Sequence, residues 1–370
     1  MDPGPVQVEC VGVTDAGLAR DHNEDWFSVG DLDAGALAEH GQLVRAVGPR
    51  GPLFVVCDGM GGVAGGEVAS RLAADVVWQE MLASRTTAEL DVFARHLRRA
   101  IRAAHRAVVD EAEARPELRG MGTTVSAAGV AGAALLIAQV GDSRAYIDRA
   151  GSLTQVTRDQ SVVSALVHAG QLSEVEARLS EKRSLILQAL GTGEDVDVAI
   201  SLVELRRGDR LLLCSDGLHG PVNDEALRHA LSEHGELDRA AEALVALSRQ
   251  AGAPDNITVV LARFTGDRLP LPAGADDRPS FAELDPNEEG ASALTSTSFV
   301  GRRLAARAGL RADTLPPGIP ATGQHRAVHT LPADPARVAL DRGSRLGLLA
   351  WLLAVSVGLA ILVLLFGDLL

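Results

Sequence analysis

PLFVVCDG, residues 52–59, is the stretch on which the fold turns. Its apolar run reads as a β-strand, and the strand ends in Asp58 followed by Gly59. A carboxylate in that place stands at the rim of a sheet, where glycine leaves the backbone free to bend sharply. The same arrangement recurs along the chain. Asp142 follows LLIAQVG (135–141), Asp216 ends RLLLCSD (210–216), and Asp255 precedes NITVVLARF (256–264). Asp25 lies in the polar run RDHNEDW (20–26).

Further strands are expected in QVECVGV (7–13), TTVSAAGV (123–130), AALLIAQV (133–140) and AYIDR (145–149). Helices are expected over residues 66–83, 89–114, 161–170, 173–180, 223–233 and 236–251. In the second of these, Leu90, Phe93, Leu97, Ala100, Ile101, Ala104 and Val108 make a helical stripe. Strands arriving in pairs and split by helical pairs imply an α+β layered domain with antiparallel sheets.

A single strand-end Asp is as well explained by an Asx-turn or a helix cap. Four in one domain are another matter. If they converge, their mutual repulsion requires a cation. Oxygen donors without His or Cys favour Mg²⁺ or Mn²⁺ over Zn²⁺. Two such ions can share a hydroxide and stabilise in-line displacement at phosphorus. Arg20 would then offer phosphate oxygens a fork of donors.

Composition narrows the classes. The 370 residues are 46% apolar but only 3% aromatic, so aliphatic side chains must fill the core, and Lys182 is the only lysine. The net charge is −14. In residues 267–345, ten Arg cancel ten Asp and Glu, and Asp368 adds one further negative charge, which leaves −13 in residues 1–266. A domain so acidic repels polyanions, which argues against nucleic-acid binding and against a nuclease. Cys10, Cys57 and Cys214 form no CxxC pair and read as buried thiols. The start, MDPGPVQVEC, has neither the basic patch nor the apolar run of a signal peptide.

Three regions follow. Residues 1–266 are patterned as a folded domain. Residues 267–345, rich in Pro, Ala, Gly and Arg, read as a disordered linker without the spaced apolar faces that offset ordering entropy. Residues 346–367, LGLLAWLLAVSVGLAILVLLFG, carry no charge and are long enough to span a bilayer as a helix. Arg342 and Arg345 precede that run and Asp368 follows it, so the positive-inside rule places the large domain in the cytoplasm.

The ordered motifs resemble those of the metal-dependent serine/threonine protein phosphatases of type 2C, the PPM family, especially bacterial membrane-anchored ones. They are Arg20 with Asn23-Glu24-Asp25, Asp58-Gly59-Met60-Gly61-Gly62, Gly122-Thr123-Thr124, Gly141-Asp142-Ser143-Arg144, Ser215-Asp216-Gly217, and Asp255-Asn256. The resemblance covers about residues 6–265. It implies a four-layer α-β-β-α sandwich of two antiparallel sheets flanked by helices, with a metal site at the sheet rims. Asp58 would bridge two Mn²⁺ or Mg²⁺ ions, the Gly59 carbonyl would bind one of them, and Asp216 and Asp255 would complete the pair. Glu24 and Asp25 would act through metal-bound waters. Arg20 would bind the substrate phosphate, and Asp142 with Asp216 would touch a third metal. Residues 159–190 look like the family's flap beside the cleft.

The implied reaction is hydrolysis of phosphoserine or phosphothreonine by attack of a metal-bridging hydroxide, without a phosphoenzyme. The implied partners are phosphorylated proteins, Ser/Thr kinases and their substrates, at a bacterial cell membrane. The pattern departs from the family at four positions. Met60 and Val63 stand where relatives often carry His, Gln160 replaces the His of a DH pair, and Gly220 replaces an Asp that serves the third metal in some relatives. Water or His219 would then have to protonate the leaving oxygen. The rival reading is a catalytically weak relative that acts as a phosphopeptide-binding or scaffold module.

Overall fold

The computed structural model describes residues 6–46, 48, 50–61, 65–84, 89–274 and 277–284. In chain order the elements begin with β1 (Gln7–Asp15), β2 (Asp25–Asp31), β3 (Ala36–Leu37), β4 (Val44–Ala46), β5 (Pro52–Met60), α1 (Gly65–Ala83) and α2 (Leu90–Ala114). A short 3-10 turn leads into β6 (Gly122–Thr123), β7 (Val125–Ala131), β8 (Ala134–Val140), β9 (Arg144–Arg149) and β10 (Ser152–Gln155). Then come α3 (Val162–His168), α4 (Glu174–Leu179), β11 (Ala199–Glu204), β12 (Arg210–Cys214), α5 (Asp216–His219), α6 (Asp224–Glu233), α7 (Leu237–Gln250), β13 (Ile257–Thr265) and β14 (Phe281–Leu284).

The strands form two antiparallel sheets. One has the order β10-β9-β12-β13-β1-β4; the other runs β14-β11-β8-β7-β5-β2-β3, with β6 paired to β5 off that path. The period-2 alternation of β5 explains how the sheets stack. Leu53, Val55 and Cys57 join Val77, Phe93, Leu97 and Ile101 beneath α1 and α2. Phe54 and Val56 face the other way and meet Val260 and Phe264 of the opposite sheet. On the far side, Val259 and Leu261 pack with Leu227, Leu231 and Leu244 of α6 and α7. Strands buried on both faces need largely apolar sequences, which is what β5, β7, β8 and β13 carry. The result is the expected layering of helices, two sheets and helices. Helix starts follow local chemistry: the Asn223 side chain accepts the Ala226 N–H at 2.9 Å to open α6, and Ser173 with Glu176 forms a capping box on α4.

The boundary expected at residue 266 has to be moved. The described fold continues to β14, whose residues Phe281–Leu284 pair with β11 as an edge strand. Leu269, Ala282 and Leu284 are buried. Asp277 accepts from Arg149 Nη1 at 3.2 Å and from Arg206 Nε at 3.1 Å. Arg149 in turn donates to both oxygens of Asp209 at 2.9 and 2.8 Å, where the two side chains are 3% and 0% exposed. Two arginines buried by the domain therefore require a carboxylate supplied by the supposed linker. Its Pro- and Gly-rich composition hides a strand of only four residues. No helix among the described residues is long and apolar enough to cross a membrane. The apolar run at 346–367 and the linker from 285 onward lie outside the described residues.

Candidate metal centre

Asp58, next to last but one in β5, stands directly opposite Asp25, the first residue of β2. Asp142 follows β8, Asp216 opens α5 just after β12, and Asp255 lies two residues before β13. The electrostatics place all five within reach of one another. Burial, then the charges of Asp25, Asp216, Asp142 and Asp255, raise the Asp58 carboxyl well above its ordinary range. Burial followed by Asp255 lifts Asp216 to about 6, against a hydrogen bond from Asp58. Burial followed by Asp216 lifts Asp142 to about 7. Asp25 is pushed up to about 8 by burial, opposed by hydrogen bonds from Ser215 and Thr258. The four strand-end acids and Asp25 are thus one cluster.

Arg20, half-exposed at the rim, donates to Asp255 Oδ2 at 2.7 Å. Glu24 is held by its backbone: its N–H donates to Asn256 Oδ1 at 2.8 Å, and its carbonyl accepts from Gly59 N at 3.2 Å. Burial raises the Glu24 carboxyl against the pull of Arg20. Gly59 must be glycine, because a Cβ there would stand 2.2 Å from Gly66 O and 2.4 Å from Glu24 O. Asp25 is almost fully buried and accepts from Ser215 Oγ at 2.7 Å.

Several residues that the sequence quoted without a role prove to hold this cluster. Asn256 donates to the carbonyls of Ala16 and His22, both at 2.9 Å, while accepting from Glu24, and so fixes the 20–25 loop beside Asp255. Thr123 and Thr124 grip Asp58 through its backbone. Their signal in the sequence was the polar pair following Gly122. His219 Nε2 lies 3.1 Å from the Asp142 carbonyl, and burial followed by Arg144 pushes the ring down to about 3. Met60 ends β5 and brings no proton, and Val63 lies outside the described residues. Gln160 fills its place structurally: its Oε1 accepts from Gly141 N at 2.8 Å.

The flap carries α3 and α4 and returns to the domain through bridges between Ser161 and Ile186 and between Thr123 and Leu190. Its root is clamped by a bidentate pair, Arg144 to Asp159 at 2.7–3.1 Å. Lys182 lies exposed within the flap.

The donor set fits hard divalent cations. It is all oxygen: the carboxylates of Asp58, Asp216, Asp255 and Asp142, and the carbonyl of Gly59. Among the described residues, no group of three or more His, Cys, Asp or Glu side chains is placed to hold a metal ion unaided. Mg²⁺-like ions need none, since they keep several waters and take one or two carboxylates each.

A two-sheet sandwich with an acid-lined rim and an arginine beside it defines a layered, cation-binding phosphatase-type domain. The chain belongs to the protein phosphatase 2C family, whose model matches residues 42–261. It is 39% identical over 269 residues to the serine/threonine protein phosphatase PstP of Mycobacterium tuberculosis, covering 71% of this chain and 47% of that one. The chain thus spans about half the length of that relative. It is 35% identical over 251 residues to the serine/threonine phosphatase stp of Listeria welshimeri, covering 67% of this chain and 92% of that one. Among solved structures, the PstP catalytic domain in complex with two manganese ions superposes with a TM-score of 0.57 at 36% identity, covering 70% of this chain and 99% of that one.

Proposed function

We propose that this chain is a metal-dependent protein phosphatase that hydrolyses phosphoserine and phosphothreonine. The observation that carries the reading is the convergence of Asp58, Asp142, Asp216 and Asp255 on one rim, with Arg20 beside them. Asp58, Asp216, Asp255 and the Gly59 carbonyl would hold two Mn²⁺ or Mg²⁺ ions, and Asp142 a third. When bound, such ions supply Lewis acidity toward the phosphoryl oxygens and an activated water. The protein's own groups do the rest. Arg20 leaves Asp255 for the phosphate oxygens, where its planar fork matches their geometry. Asn256 keeps the 20–25 loop in place during that exchange. Buried Asp25, locked by Ser215, backs Asp58 from the neighbouring strand. With His219 neutral and Met60 inert, the leaving oxygen takes its proton from water.

Mn²⁺-dependent release of phosphate from a phosphothreonine peptide tests this. Asp216→Asn should reduce turnover to background. Equal turnover by the wild type and the variant refutes the assignment. No turnover by either supports the rival, a phosphopeptide-binding or scaffold module, which the missing histidines favour. The proposed partners are phosphorylated proteins, including Ser/Thr kinases and their targets. The proposed location is the bacterial cell membrane, with residues 346–367 as a single anchor and the catalytic domain in the cytoplasm. Cell fractionation of the full chain against one ending at Leu284 tests the anchor, because only the full chain should sediment with membranes.

A further inference from the structure

Thr124, buried at 2% exposure, touches two of the carboxylate-bearing turns at once. Its N–H donates to the Asp58 carbonyl at 2.9 Å, and its Oγ1 accepts from the Asp58 N–H at 3.0 Å. Thr123 Oγ1 donates to the same carbonyl at 2.9 Å. Both backbone polar groups of Asp58 are therefore spoken for by this pair of threonines.

The opposite side of the Thr124 hydroxyl meets the other turn. Thr124 Oγ1 lies 2.8 Å from Ser143 Oγ, and Ser143 is fully buried. A hydroxyl has one proton and two lone pairs, so accepting from Asp58 leaves it free to bond Ser143. Ser143 cannot drift away, because its carbonyl accepts from Ser126 Oγ at 2.8 Å and Gln139 Nε2 at 2.9 Å. Gly141, on the other flank of Asp142, has φ +104°, and a Cβ there would stand 2.7 Å from Thr124 Cβ. The Asp142 turn is thus pressed onto Thr124. From behind, Gln160 makes a two-point contact with Gly141, accepting from its N–H at 2.8 Å and donating to its carbonyl at 3.0 Å.

We propose that Thr124 is a positioning residue that couples Asp58 to Asp142, so that a cation held by one carboxylate changes the affinity for a cation at the other. The proposal rests on the metal-dependent reading above. A shift of the Asp58 peptide breaks or strains the bond to Thr124, and among the described residues Thr124 alone bonds both Asp58 and Ser143. Close-packed interiors have low compressibility and transmit strain. Valine has the shape of threonine without the hydroxyl. Thr124→Val therefore keeps the packing but leaves the Asp58 N–H without its acceptor and Ser143 without its partner.

The test is calorimetric titration of the full chain with Mn²⁺, comparing the wild type with Thr124→Val, Thr124→Ser and Ser143→Ala, with melting temperatures in chelator as a check of folding. Loss of a group that orients a ligand costs about 10- to 100-fold in metal affinity. Thr124→Val should lose affinity by about that factor at every ion, while Thr124→Ser, which keeps the hydroxyl, should stay near the wild type. Ser143→Ala should weaken only the loosest ion. Wild-type affinities in Thr124→Val, or equal losses in the Ser and Val variants, overturn the proposal. Ser143→Ala with an unchanged titration overturns it even where Thr124→Val does not fold. A wild type that takes up no Mn²⁺ removes the metal-dependent reading itself, and this proposal with it.

Discussion

The domain buries charge in two places, and it treats them in opposite ways. Behind β9 and β11, Arg149 and Arg206 are matched by Asp209, Asp277 and Glu204 at 2.8–3.2 Å. At the sheet rims, Asp25, Asp58, Asp142, Asp216 and Asp255 crowd together with one rim arginine, Arg20, paired to them. In the first cluster the Ala273 N–H, and then the arginines, pull Asp277 below the ordinary carboxylate range, while Arg149 partly offsets the burial that raises Asp209. In the second, like charges add to burial, and four carboxyls rise. The first arrangement is complete as folded. The second stores electrostatic free energy that a divalent cation releases on binding.

The contrast can be broken most severely by cutting the chain after Gly266. That removes Asp277 and β14, exposes the β11 edge, and uncovers the sites of Leu269 and Leu284. A loss of about 5 kcal/mol or more is expected from two leucines and a stranded arginine pair, whereas a chain ending at Leu284 should match the full chain in denaturant melts. Equal stability of the two truncations would show that the extension is not part of the domain. Next in size is Asp209→Ala, which leaves Arg149 buried without its main partner. A cost of about 3–5 kcal/mol is expected, and urea denaturation reads it directly.

The metal-centre side of the comparison is sharpened by pH. A carboxyl held above its ordinary value stabilises the fold while protonated, and that contribution fades as pH climbs through the raised value. With Asp216 at about 6, Asp142 at about 7 and Asp25 at about 8, the metal-stripped protein should lose stability steadily on going from acid to mildly alkaline solution. The melting temperature of the metal-free protein should fall throughout that range, and saturating Mn²⁺ should flatten the profile. A metal-free melting curve that does not move with pH would contradict the clustering. The smallest effect is expected at the exposed pair Arg158–Glu283, 3.4 Å apart, which joins the flap root to β14. Glu283→Gln should cost less than about 1 kcal/mol, since solvent screens such pairs.

These differences also explain what could be read from the amino-acid order. Strands β7, β8 and β13 are buried on both faces, so their apolar runs announce them. β2 carries an acid at each end, β11 mixes Ser201 and Glu204 among its apolar residues, and β14 lies in a stretch of linker-like composition; each becomes a strand because a neighbour offers a ladder. The metal-site acids were legible because a carboxylate after an apolar run is locally conspicuous. The hydroxyls that steady them were not. Thr124 lies 66 residues from Asp58, and a threonine at the start of an apolar strand has no local mark of its partner. The charge-matched cluster was missed for a similar reason, since Arg149 and Asp277 lie 128 residues apart.

The scarcity of lysine gives the flap an experimental handle. Cys10, Cys57 and Cys214 are buried, and burial raises all three thiols, so maleimide dyes should find little to react with in the native fold. Lys182, the sole lysine, is exposed on the flap. An amine-reactive fluorophore, applied after the more acidic α-amino group has been blocked, would mark the flap and no other side chain of the wild-type chain.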